Sequence, residues 1–168
     1  MESTTTNVSH IVIHDARFSS DEDYALFLHT MTELKDGGHC NFYAFCLLPG
    51  CAQLLIQEKD WTTKQVAENF ASCCYHEDME YEYEILGDLE RFLTIFRFIH
   101  QIPVKAGLCS SPGEYDYSSW SNDYLKLGGE RICKTTVPIR RFGFGELHRA
   151  INEPLEEDVD CLDYKPYE

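Results

Sequence analysis

The sequence predicts an α+β domain, an antiparallel sheet of four to five strands with helices packed on one face in the ferredoxin-like arrangement. Three observations carry this. Short apolar runs flank a break at Pro49-Gly50, and those two residues punctuate a sheet rather than a helix. Apolar stripes at helical spacing recur over residues 24–34 and 92–100. The resulting order is strand, helix, strand, strand, helix, strand, helix, which suits a small sheet with helices laid over it.

In chain order, residues 1–7 are polar and expected to be disordered, a single domain spans 8–152, and an acidic tail spans 153–168. Val8, Ile11, Val12 and Ile13 make 8–14 a strand. Asp21, Glu22 and Asp23 suit the positive end of a helix dipole. The helix they open carries a stripe of Ala25, Leu28, Met31, Thr32 and Leu34, with Tyr24 and Phe27, and stops at Gly37-Gly38. Residues 39–47 form a second strand with Cys40, Phe42, Ala44 and Cys46 on one face and Asn41, Tyr43, Phe45 and Leu47 on the other. Two apolar faces suggest a central strand. After the Pro-Gly turn, 51–57 is the third. Thr62 or Thr63 caps a helix over 64–75, with Val66, Phe70 and Cys73 or Cys74 inward. Residues 81–85 alternate as a half-exposed strand, Tyr81, Tyr83 and Ile85 inward and the glutamates in water. Phe92, Leu93, Phe96, Ile99 and His100 mark a helix over 89–101 that Pro103 ends. Residues 110–124 read as a Ser-rich aromatic loop with a turn at Trp120, 137–139 as a short strand and 145–152 as a short helix.

Charge is the most informative bulk property. The 168 residues carry 29 Asp and Glu against 14 Lys and Arg, a net charge of −15. Affinity for nucleic acid comes largely from bases neutralising phosphates, so such a chain starts at a disadvantage there. No apolar run approaches the roughly 18 residues of a membrane span, and the start resembles no signal peptide; a cytoplasmic protein that engages no membrane is expected. The eight cysteines are scattered without a Cys-x-x-Cys pair, as expected of buried reduced thiols.

Several segments together resemble one family. Phe45-Cys46-Leu47-Leu48-Pro49-Gly50-Cys51-Ala52-Gln53-Leu54-Leu55 is similar to a motif Tyr-Cys-Leu-Met-Pro-Asn-His-x-His-Leu-Leu. Arg97-Phe98-Ile99-His100-Gln101-Ile102-Pro103-Val104-Lys105-Ala106-Gly107-Leu108 is similar to Arg-Tyr-Ile-His-Leu-Asn-Pro-Val-Arg-Ala-Gly-Leu. Ser111-Pro112-Gly113-Glu114-Tyr115, Ser118-Ser119-Trp120 and Asp21-Glu22-Asp23-Tyr24 follow the same pattern, in family order over residues 8–124. The family is that of the single-tyrosine HUH transposases, and in particular the REP-associated tyrosine transposases.

The resemblance implies an IS200-like transposase fold. It also implies a helix tyrosine that attacks a DNA phosphate, and Mg²⁺ or Mn²⁺ held by two histidines and an Asn or Gln four residues after the tyrosine. Carried over residue by residue, the nucleophile position is Phe98 and the ligand positions are Cys51, Gln53 and Ile102. Phe98 has no hydroxyl, Ile102 has no lone pair, and Cys51 and Gln53 are poor ligands for a hard cation. A catalytically inactive relative that acts as a binding or regulatory protein, with no cofactor, is therefore expected. The plainest account of the four side chains is core packing. Cys46, Cys51 and His100 could instead form a soft-metal or thiol site. His10 and His14 read as polar ends of the first strand.

The alternative is a residual binder of single-stranded or hairpin DNA. Its candidate contacts are Arg131, Lys134, Arg140, Arg141 and Arg149. The acids of 77–90, seven with no base among them, make a basic protein the other candidate partner. A monomer is favoured over a homodimer.

Overall fold

The computed structural model describes residues 7–16, 18–73 and 80–155. Strands β1 (Val8–Ala16), β2 (Cys40–Leu48), β3 (Gly50–Glu58) and β4 (Tyr81–Ile85) form one sheet in the order β2-β3-β1-β4. Every neighbouring pair is antiparallel. Helices α1 (Asp21–Asp36), α2 (Thr63–Cys73) and α3 (Leu89–Lys105) pack on it, and α4 (Thr136–Phe142) and α5 (Phe144–Asn152) close the described chain. The expected α+β class is what forms.

Local chemistry explains the elements. Ser20 caps α1 by accepting from Asp23 N, and the Asp23 carboxylate accepts in return from Ser20 N. Leu48 and Cys51 face each other across Pro49-Gly50, with Gly50 at φ +89°, a conformation that costs a side chain-bearing residue energy. Asp88 caps α3 by accepting from Arg91 N at 2.8 Å.

The helices divide between the two faces of the sheet instead of sharing one. Directly opposed residues share a face, so Ser9, Ile56 and Phe42 lie together. Ser9 meets Thr63 of α2, Phe42 meets Phe70 of α2, and Phe70 stacks on Phe27 of α1. On the other face are His10, Gln53 and Tyr43. There His10 meets Phe98 and Tyr43 meets Phe92, both from α3.

Further expectations are corrected. A bulge between Phe42 and Ala44 adds a residue to β2, which turns Phe42 to the face of Phe45 instead of that of Ala44. β2 is the edge of the sheet, not its centre. It is largely apolar because residues 115–134 cover its outer side: Leu47 N donates to Tyr117 O, Lys134 N to Phe42 O, and the Tyr124 hydroxyl to Tyr43 O. α3 runs through Pro103 to Lys105, since in the last turn the missing N–H removes a single bond; the helix gives way at Gly107, φ +76°. Residues 137–139 are helical, inside α4. In β4, Tyr83 and Ile85 are exposed while Glu84 is half-buried. Residues 153–155, expected to begin a loose tail, are tied to α3: Arg97 and Gln101 donate to Glu153 O, and Leu155 N donates to Gln101 Oε1. The expectations for residues 1–6, for 74–79 and for 156–168 fall outside the described residues.

Candidate functional site

Gln53 touches Cys51 and, through His10, is linked to Phe98 of α3. Gln53 of β3 is fully buried, and its Oε1 accepts from His10 Nε2 of β1 at 2.5 Å. Its amide nitrogen faces Cys51 Sγ at 3.5 Å. The Phe98 ring stands edge-on to His10, centroids 6.2 Å apart. Ile102, one turn further on α3 and so on the same face, is buried. Behind them Arg91 donates from Nε and an Nη nitrogen to both oxygens of Glu84, each at 2.7 Å, and holds that carboxyl below its usual range.

His10 is the residue that sequence reasoning missed. Burial pushes its pKa down to about 4, against the opposing pull of Gln53 and Glu84, so the ring is neutral at pH 7. With Nε2 donating to Gln53, Nδ1 is left as a buried acceptor without a partner among the described residues. Its position just before the Ile11-Val12-Ile13 run of β1 was the available signal. His14, by contrast, lies at the rim with Glu82 at 2.8 Å.

The other cluster suggested by the sequence does not form. His100 is fully buried, but Nδ1 donates to Phe96 O at 2.8 Å and Nε2 accepts from the Ser119 hydroxyl at 2.6 Å. Both nitrogens are committed, which ties α3 to the covering segment of β2. The Cys46 thiol is pushed well above its ordinary value by burial and by its neighbours Cys51 and Cys109. Among the described residues no three His, Cys, Asp or Glu side chains are grouped so as to hold a metal ion.

No protein-family model and no curated protein matches the chain. A solved structure does: a REP-associated tyrosine transposase bound to a REP hairpin, at 13% identity and a TM-score of 0.59, over 77% of this chain and 90% of that one. The chain has the fold of a REP-associated tyrosine transposase. At that identity the likeness is one of fold, so the side chains decide what chemistry the site can support.

The donor set does not fit Mg²⁺ or Mn²⁺. Gln53 has committed its carbonyl oxygen to His10, Cys51 offers a soft sulfur, and Ile102 offers only hydrocarbon. The basic residues of the C-terminal segment divide in two. Arg149 is held by Glu146 and Glu153, and Arg131 donates to the carbonyls of Asp123 and Lys126. Lys134, Arg140 and Arg141 are exposed. No ion pair involves them among the described residues. Also unforeseen was Asp123, buried, whose carboxylate accepts from Ile132 N and Cys133 N and so fixes the strip that covers β2.

Across the described residues no helix is long and apolar enough to cross a membrane.

Proposed function

We propose that this chain is a non-cleaving relative of the REP-associated tyrosine transposases that works by binding, as a regulatory or partner-recognising protein. One observation carries the reading: at the junction of β1, β3 and α3 the ring at the nucleophile position is that of Phe98, set edge-on to His10, whose Nε2 in turn donates to the Gln53 oxygen. Phosphoryl transfer of the implied kind needs an oxygen nucleophile and a polarising metal; the Phe98 ring carries no oxygen, Ile102 has no lone pair, and the Cys51 sulfur is a poor ligand for a hard cation. Incubation with single-stranded hairpin DNA and Mn²⁺ tests this. The expected result is neither cleaved product nor protein–DNA adduct; cleavage abolished by substituting a side chain beside Phe98 would overturn the reading.

A second reading has its own support. Lys134, Arg140 and Arg141 are exposed and unpaired among the described residues, and the structurally similar transposase was solved with a REP hairpin. On this reading the chain binds hairpin DNA without chemistry. Retention of a labelled hairpin at low salt, lost as salt rises and lost in the double variant R140E/R141E, would support it. No retention at low salt would remove it.

A further inference from the structure

Among the described residues the outer side of β4 is an open sheet edge. β4 pairs with β1 alone, without a bulge, and contains no proline. His14 N donates to Glu80 O at 2.8 Å and Leu86 N to Val8 O at 2.9 Å, so the even-numbered residues turn their backbone toward β1. In an antiparallel pair the alternate residues turn theirs away. Tyr81, Tyr83 and Ile85 therefore present N–H and C=O groups outward, and no described residue pairs with them.

The side chains at this edge are not those of a solvated strand. Tyr83 and Ile85 are 42% and 44% exposed, and the Tyr83 ring stacks on that of Tyr81, which bonds Glu68 of α2. On the opposite face stand Glu82 and Glu84, with Glu80, Asp88 and Glu90 exposed nearby. The nearby bases are already engaged: Arg91 with Glu84, and Lys64 with Glu68 at 3.8 Å.

A second copy of β4 fits poorly here. An antiparallel pair centred on Tyr83 would set Glu82 of each strand opposite Glu84 of the other, and like charges directly opposed destabilise a ladder. A strand with Lys or Arg at alternate positions meets Glu82, whose described partner is His14 alone, and the exposed Glu80, Asp88 and Glu90 favourably.

We propose that the outer edge of β4 is a docking site for an extended basic segment of a partner protein, added as an antiparallel fifth strand. Its Lys or Arg side chains lie beside Glu82 and Glu84, and its alternating apolar side chains lie beside Tyr83 and Ile85. Backbone bonds to Tyr81, Tyr83 and Ile85 supply affinity, and the alternation supplies selectivity. This rests on the reading of the chain as a binding protein and names the chemistry of its partner. Its test is separate from that reading, because strand addition leaves DNA cleavage untouched.

The probe is a fluorescein-labelled decapeptide alternating Lys and Val, compared by anisotropy at low salt with a peptide of the same composition whose lysines form one block, and with an alternating Glu-Val peptide. The alternating basic peptide is expected to bind about tenfold or more tightly than either. On the full-length protein it should slow amide exchange at Tyr81, Tyr83 and Ile85 by about tenfold or more, with smaller effects elsewhere. Tyr83→Pro, which removes one outward donor and leaves the β1 side of the ladder, should weaken binding by about tenfold. The exchange measurement needs no variant, so it stands if that substitution misfolds. Equal affinity for the block peptide, unchanged exchange at the three amides, or their protection in a peptide-free dimer would each overturn the proposal.

Discussion

Mild acid should destabilise this protein through two buried histidines before its carboxylates titrate. In the unfolded chain a histidine titrates near 6.5. In the fold, burial holds His10 at about 4 and His100 at about 3. Both folded values are depressed, so the unfolded state binds more protons as pH falls, and stability present above about pH 6.5 is progressively lost. At about pH 5 each ring is almost fully protonated in the unfolded chain and almost fully neutral in the fold. The loss is then about 2 kcal/mol per histidine, or about 4 kcal/mol for the pair. That figure depends little on the folded values as long as both stay at or below about 4. Geometry supports the direction. His100 Nε2 accepts from Ser119 and would need that hydroxyl to turn, and protonated His10 would carry an unserved N–H at Nδ1 in a buried site. Asp23 and Glu84, held below their ordinary range by hydrogen bonds from Ser19 and from Arg91 respectively, lose their contribution at lower pH. Urea unfolding at a series of values between pH 7 and about pH 5 reads the loss. His10→Gln and His100→Gln should each remove about half of the pH dependence. A flat profile, or a slope that neither substitution changes, would refute the reasoning.

The remaining predictions concern the same core. Gln53→Leu strands both nitrogens of His10 and should cost about 1–3 kcal/mol, as should His10→Leu, which strands the Gln53 carbonyl. The double variant should recover part of that, with a coupling of about 1–3 kcal/mol by denaturant titration; additive losses would contradict the pairing. Cys46 and Cys133, pushed well above their ordinary range chiefly by burial, and the buried Cys51 should resist iodoacetamide at neutral pH until urea unfolds the chain. Half-buried Cys109 should label before these three, and native labelling of Cys51 read by peptide mapping would contradict this. Asp123→Ala should cost about 1–3 kcal/mol for each of the two backbone N–H groups it leaves unpaired, and thermal melting would detect it.

Much of the fold was legible because local chemistry and tertiary packing agree. Pro49-Gly50 marks the β2–β3 turn, and the spacing of Phe92, Phe96 and Ile99 is the buried face of α3. Where they parted, the sequence misled. Val137-Pro138-Ile139 looks like a strand fragment, yet Pro138 sits in the first turn of α4, where a missing N–H costs nothing. The alternation of β4 was read with the right period. Its aromatic side was expected to be buried because nothing local shows that β4 lies at the rim, where α2 reaches Tyr81 but leaves Tyr83 and Ile85 exposed. Apolar β2 was taken as central for the converse reason, its cover coming from residues about 75 further along the chain, such as Ser118, Ser119 and Tyr124. At the site, Cys51, Gln53 and Phe98 were found from their motifs. His10 was not, since its role depends on a partner 43 residues away.

The account depends on the packing of α3 on β1 and β3, with Gln53 held by His10 and Phe98 set against that ring. Crystals grown with Mn²⁺ and measured at the manganese absorption edge test this directly. No anomalous density within coordination distance of Gln53 Oε1 or Cys51 Sγ is the predicted result. A peak there, with Gln53 turned away from His10, would contradict it.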